Sequence, residues 1–352
     1  EVEQAKLASQ SLEDLQVGDE NRAREAANWF AANVVEDEEL APQVSAALVG
    51  LLSNRNTRSS ASSALSQWVS AESVPALIEA AGVAHASADR DTEKACVLLL
   101  TELNDERALP TYAAYLETGH DRNTAKAAFA AIGENAAKSL LPFIHHEDRN
   151  TRQTAHDLLA EWEVEKVHWF TQSLADLNAE NENRRRQAVR YFIDSEPDPS
   201  VKSGVAVALL ALVDDPRLRN DAMQALKTWA TSETVPRLIE LLEHEDGGVR
   251  NNARAILVAT KDPRAVEPIA AGFGDDFFQR IEARKALVAM GPVAESAVWP
   301  HINHEDWRVA KDAIEVLGEI GTAKSIPVLQ KALTSKTPFV KGSAQKAIEK
   351  IE

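Results

Sequence analysis

Cysteine is almost missing from this chain: Cys96 is the only one in 352 residues. No disulfide framework and no cysteine-based metal site can be built from it. Cys96 sits in the apolar run ACVLLL, the setting of a buried structural thiol rather than a nucleophile. Aromatic residues make up only 5% and β-branched runs are short, so strand-forming composition is poor. No apolar run approaches the ~20 residues needed to span a bilayer. Positive charge is short as well, with 38 Lys and Arg against 55 Asp and Glu, a net charge of −17. That balance argues against a general nucleic-acid binder, which needs a cationic excess to neutralise phosphates. Catalytic signatures are also lacking: GxSxG, P-loop, GxGxxG and HExxH patterns do not occur. No catalytic residue, metal site or cofactor is therefore assigned. The chain reads as soluble, and its opening on Glu1 rather than Met reads as a trimmed or processed terminus that leaves the compartment open.

What the chain has is alanine, leucine and periodicity. Hydrophobic residues at 44% and charged residues at 26% suit a packed helical core. A column of small residues recurs at Ala26, Ala61, Cys96, Ala125, Ala155, Ala188, Ala222, Ala253, Ala283, Ala313 and Ala344, with gaps of 29 to 35 residues. That is the period of a helix–turn–helix unit stacked into a solenoid, with the small residue where helices cross closely. Three residues earlier runs a second column that includes Arg58, Arg122, Arg152, Arg185, Arg219, Arg250 and Arg280. Four residues earlier again stand Asp19, Asn54, Asp89, Asp148, Asn181, Asp215, Asp246, Asp276 and Asp306, missing in the fourth and last units. Asp and Asn there are the expected N-caps of each second helix. Pro42, Pro75, Pro110, Pro142, Pro236, Pro268, Pro300 and Pro327 fall near the start of the first helices. A missing amide is tolerated there, whereas further in it bends the helix. The expected fold is all-α: a right-handed α–α superhelix of about eleven two-helix units.

The units resemble HEAT repeats, close to the HEAT-like subclass found in phycobilin lyases and bacterial adaptor proteins. The pattern VPxLIELL–x–D–xx–VR–xx–A–xx–(I/L)L stands at 235–257, and VLGEIG–x–AKSIPVLQKAL at 316–333. The resemblance implies a binding scaffold, since that fold serves unrelated partners. A larger duplication overlies the repeat: SLEDLQVGDENRAREAANWF (11–30) returns as SLADLNAENENRRRQAVRYF (173–192). LSQWVSAESVPALIEA (65–80) likewise returns as LKTWATSETVPRLIEL (226–241). This divides the chain into repeats 1–5 (1–162), repeats 6–10 (163–320) and a capping repeat (321–352), expected to form one continuous solenoid. The acidic junction EWEVEK (161–166) is the expected hinge. The acidic runs Glu36–Glu39 and Glu161–Glu165 read as solvated helix ends. Charge is uneven: residues 1–160 carry 13 basic and 25 acidic side chains, whereas 321–352 carry six Lys and two Glu.

Three His-Glu pairs precede caps: His146-Glu147, His244-Glu245 and His304-Glu305. Deoxyhypusine hydroxylase, also a duplicated HEAT-repeat protein, resembles this in using His-Glu pairs as iron ligands. It carries four, inside the helix, whereas these three lie in turns, so they read as turn residues. The Arg column could serve phosphates, as in HEAT-like alkylpurine DNA glycosylases. Each Arg follows a cap by four residues, however, and reads better as a ladder bonding across its turn or to the next unit. The two positions after the Arg column should face an inner groove, as for Gln153 and Thr154, Arg186 and Gln187, Asn220 and Asp221, Asn251 and Asn252, Glu282, Lys311 and Asp312. Arg190 joins Arg184-Arg185-Arg186 as the one local basic concentration, and Trp307 is an expected exposed anchor. The function expected is a non-enzymatic scaffold, monomeric, that grips a protein segment with Arg186, Gln187, Arg190, Asn220, Asn251, Asn252, Glu282 and Trp307. The alternatives are a HEAT-like lyase or metal-dependent hydroxylase, and a HEAT-like DNA-repair binder.

Overall fold

The computed structural model describes residues 2–35, 37, 39–274 and 276–352, so Glu36 and Glu38 of the first acidic run lie outside the described residues. Among the described residues every regular element is helical. The chain divides into two compact units, Glu1–Gln172 and Ser173–Glu352. In the first, α1 (Val2–Gln16) precedes α2 (Glu20–Ala32), α3 (Leu40–Gly50) precedes α4 (Arg58–Trp68), and α5 (Val74–Ala86) precedes α6 (Arg90–Leu103). There follow α7 (Leu109–Thr118) with α8 (Arg122–Ile132), and α9 (Ala137–Leu140) with α10 (Arg149–Glu161). Next comes α11 (Lys166–Asp176), paired in sequence with α12 (Glu182–Asp194). The second unit continues with α13 (Lys202–Ala211) and α14 (Arg219–Trp229), then α15 (Val235–Glu240) and α16 (Gly247–Thr260). It closes with α17 (Val266–Ala271) and α18 (Phe277–Met290), α19 (Glu295–Val298) and α20 (Trp307–Ile320), and α21 (Ile326–Ala332) and α22 (Pro338–Ile351). These are eleven helix pairs, first helix then second.

Packing explains the small-residue column. Cys96, Ala61, Ala155, Ala188, Ala222, Ala253, Ala283, Ala313 and Ala344 are all fully buried. Around them each pair buries leucines such as Leu48, Leu65, Leu100 and Leu226. Each contributes about 1.5–3 kcal/mol relative to exposure. No single pair can cover that surface; its neighbours in the stack do. The prolines set the length of the first helices. Pro75, Pro110, Pro236 and Pro327 occupy the first turns of α5, α7, α15 and α21, where no amide is needed. Pro142 and Pro300 stand two residues beyond the four-residue helices α9 and α19, which pass there into tighter 3-10 turns.

Several local arrangements occur in both units. Trp68 Nε1 donates to the Phe30 carbonyl at 2.9 Å with the rings edge-on. Trp229 does the same to Phe192 at 2.7 Å. Arg107 bonds Asp105 and the Ala71 carbonyl, and Arg264 bonds Asp262 and the Ser232 carbonyl. Gly133 and Gly291 end α8 and α18 at φ +76° and +77°, a backbone region that disfavours any side chain.

The caps depart from the column in three places. Asp121 caps α8 by accepting from the Thr124 amide, so the fourth unit does have a capping carboxylate. DRNT at 121–124 therefore matches DRNT at 148–151, and the register of this unit shifts by three. Ala125 takes the arginine position, the fully buried Ala128 the small one, and Arg122 becomes the first helical residue. Asn54 and Asp215 do not cap α4 and α14, which begin one turn later at Arg58 and Arg219. Their side chains instead accept from the amides of Asn56 and Arg217, holding the turn that leads into each helix.

Candidate interaction surface

Most of the second helices start from a capping Asp or Asn, and these caps fix where the side chains that follow are placed. Asp148 accepts from the Thr151 amide at 2.8 Å, and Asp246 accepts from Gly248 and Val249. The Thr151 amide holds the Asp148 carboxyl below its ordinary value of 3.8, and the Val249 amide does the same for Asp246. The three histidines fit this geometry. His146, His244 and His304 each use Nδ1 to accept the amide of the capping Asp two residues on, at 3.0–3.1 Å. Each ring thereby closes the turn that its cap opens. No group of three or more His, Cys, Asp or Glu among the described residues is placed to hold a metal ion.

The arginine column bonds in two directions. Across the turn, Arg58 Nε reaches the Leu52 carbonyl at 2.9 Å and Arg219 Nε the Val213 carbonyl at 2.8 Å. Arg152, Arg185 and Arg250 use Nη1 to reach the carbonyls of His146, Ala179 and His244. Toward the next second helix, Arg58 pairs with Asp89 at 3.1 Å and Arg122, in its shifted register, with Asp148 at 3.0 Å. Arg280 pairs with Asp312 at 2.9 Å, and both side chains are largely buried. Lys94–Asp121, Lys126–Asp157, Arg284–Glu315 and Lys350–Glu319 add further ion pairs between consecutive second helices.

The two positions after the arginine differ from each other. The first is the more open: Gln153, Asn220 and Asn251 are exposed, while Arg186 and Lys311 are half-buried. The second turns about 100° further round the helix, toward the neighbouring pair. There Gln187, Asn252 and Glu282 are half-buried, Asp312 is spent on Arg280, and Thr154 is buried with its hydroxyl donating to the Asn150 carbonyl. Thr154 and Asp312 are therefore not groove side chains. The basic run Arg184-Arg185-Arg186 meets Asp176, Asp215 and Glu182 respectively, which offsets its charge locally. Arg190 is exposed. Trp307 is half-buried rather than free: Phe339 stacks on it at 5.1 Å between centroids, and Arg308 lies over its ring.

Sequence reasoning missed two features. Arg254 is 5% exposed and donates to Asn251 Oδ1 at 2.8 Å and Gln279 Oε1 at 2.9 Å, so it fixes the Asn251 amide. The other is a cleft of about 480 Å³ between α20 and α22 that extends to Arg284 of α18, with Phe339 at its edge. Pro338 was the available signal, since proline at the start of α22 puts Phe339 in the first turn.

Residues 205–288 and 279–349 match the family model described as HEAT repeats. That stretch, within the second unit, carries HEAT repeats. No curated protein matches its sequence. Among solved structures, this chain is similar to Kap121p at 16% identity and a TM-score of 0.40, covering 98% of this chain and 45% of that one. It is similar to the karyopherin Kap121p bound to the SUMO protease Ulp1p at 14% and 0.38, covering 98% and 45%. It is also similar to importin beta at 14% and 0.35, covering 98% and 52%. The chain thus spans about half the length of the solved structures it matches.

Proposed function

We propose that this chain is a non-enzymatic, monomeric interaction scaffold whose second helices receive a segment of another protein. One observation carries the reading. The exposed first position after the arginine recurs in the second unit at Asn220 and Asn251, on second helices whose arginines are held in turns. A repeated row of amides on a stiffened frame suits a wet, mixed polar interface. Arg186, Gln187, Arg190, Asn252, Glu282 and Trp307 flank that row in sequence and complete the proposed contact set. The net charge of −17 disfavours a nucleic-acid partner.

The test places photo-crosslinking amino acids at Asn220 and Arg190, and at Glu79 and Glu243 of the first-helix segments. Crosslinks to one protein band from the second-helix positions alone support the assignment. Equal crosslinking from Glu79 and Glu243, or capture that survives Asn220→Arg with Arg190→Glu, overturns it. Asn251 is left out of both sets because any change there also releases Arg254.

A further inference from the structure

The last helix, α22, is cationic in a chain that is anionic as a whole, with Lys341, Lys346 and Lys350 against Glu349. The cleft between α20 and α22 is lined by Arg284, Lys311, Lys346 and Lys350 against only Glu315 and Glu319. Glu315 is shared by Arg284 at 2.9 Å and Lys311 at 2.7 Å, and Glu319 is taken by Lys350 at 2.7 Å. Lys346 is exposed beside them, so the lining keeps an excess of two positive charges in a chain of −17. The floor is narrow because Gly318 lets α20 and α22 approach: a Cβ there would lie 3.2 Å from Ala347 Cβ. At Gly342 a Cβ would meet open space.

The rim is aromatic and already ordered. Phe339 is 63% exposed, yet its ring is held by stacking on Trp307. An exposed aromatic whose rotamer is fixed beforehand loses little entropy on binding, which makes it an effective anchor. Phe277 and Phe278 stand in the same first-turn register on α18 and are also exposed.

We propose that this cleft binds an acidic segment of a partner protein, with an aromatic or leucyl side chain of that segment set against Phe339 and its carboxylates facing Lys346, Lys311 and Arg284. The inference rests on the scaffold reading and narrows it to one place and one partner chemistry. A cleft of this volume takes a few residues of chain, whereas a folded face of a second copy would bridge its mouth. Glu315 and Glu319 interrupt the cations and so disfavour a continuous line of phosphates.

Fluorescence anisotropy of the full chain with a labelled synthetic peptide, Glu-Asp-Glu-Phe-Glu-Asp-Glu, tests this directly. Two control peptides replace the acids with Lys or the Phe with Gly. Binding should be saturable and salt-sensitive, absent for the Lys peptide, and about tenfold weaker for the Gly peptide. Lys346→Glu and Phe339→Ala should each weaken it about tenfold with the circular dichroism spectrum unchanged. Lys346→Arg, which keeps the charge, should retain binding. Equal binding of the acidic and basic peptides, or variants that bind like the parent, overturns the proposal. So does equal affinity for a single-stranded oligonucleotide, or a dimer seen by sedimentation that Lys346→Glu dissolves. If the peptide fails while crosslinking from Asn220 and Arg190 succeeds, the cleft assignment falls and the scaffold reading stands.

Discussion

Removing Asp312 should loosen the second unit through a residue that it never touches in sequence. Arg280 on α18 and Asp312 on α20 meet at 2.9 Å, with side-chain exposures of 8% and 17%. At an effective dielectric near 20, opposite charges this close attract by about 4 kcal/mol, and much of that is returned as desolvation. The asymmetry matters more than the net value. Asp312→Ala leaves the Arg280 guanidinium largely buried without its carboxylate, whereas Arg284 keeps Glu315 at 2.9 Å. The expected loss is about 2–3 kcal/mol, somewhat below that of a fully buried pair. Arg280→Leu should cost less, since the leucine retains part of the stem packing. The double variant should recover about 1–2 kcal/mol of the sum. For a body of this size each kcal/mol moves the thermal midpoint by about 2–4 °C, so Asp312→Ala should lower it by roughly 4–12 °C. Urea unfolding followed by circular dichroism and by tryptophan fluorescence measures the cycle, with both probes needed because repeat arrays can unfold in parts. High salt should change the coupling little, because the pair is shielded from solvent. A coupling below about 0.5 kcal/mol would refute the reasoning. Arg280 would then be an arginine held by nothing essential, and a ligand-facing role for its column would need to be reconsidered.

Trp229→Phe should cost about 2–3 kcal/mol in the second unit, and Trp68→Phe a similar amount in the first, because each removes a buried donor from a main-chain carbonyl and leaves a void; equilibrium unfolding of the two variants checks this. Glu295 gives a pH dependence. Burial raises its pKa, but the Ser325 hydroxyl and the Thr322 amide and hydroxyl outweigh that and hold it below the ordinary 4.5. Its stabilisation is therefore complete above about pH 4.5 and is lost as pH falls through the lowered value. Glu295→Gln should be less stable at pH 7 and should flatten that part of the acid-unfolding curve; an unchanged curve would count against the assignment. Cys96 is fully buried, and burial pushes its thiol up to about 12. Ellman's reagent at pH 8 should stay unreactive with the folded chain and consume one thiol per chain in denaturant; rapid reaction in the native state would contradict its placement.

Most of the secondary structure could be read from residue chemistry. Asp148, Asp246, Asp276 and Asp306 cap as short carboxylates before an apolar stripe should, because capping involves amides only two or three residues away. The misplaced fourth unit shows where pattern matching fails. Arg122 and Ala125 sit three apart as elsewhere, but the DRNT motif starts at the cap, and three residues of a helix are nearly one turn. Ala125 and Ala128 were then equally acceptable small residues in the sequence, and only the position of Asp121 at the helix start separates them.

The repeat itself, its all-helical character and the burial of its alanine column followed from the sequence alone, because caps, prolines and apolar periodicity act within one or two turns of chain. Tertiary structure decided which polar side chains remain available. Asp312 and Thr154 directly follow the half-buried Lys311 and the exposed Gln153, yet a rotation of about 100° turns them toward more buried surroundings. Trp307 and Phe339 lie on different repeats, and their stacking exists only once α20 and α22 have packed. Interactions local in sequence can be read from the order of residues, whereas the occupancy of a surface depends on partners some thirty residues away that only packing brings together.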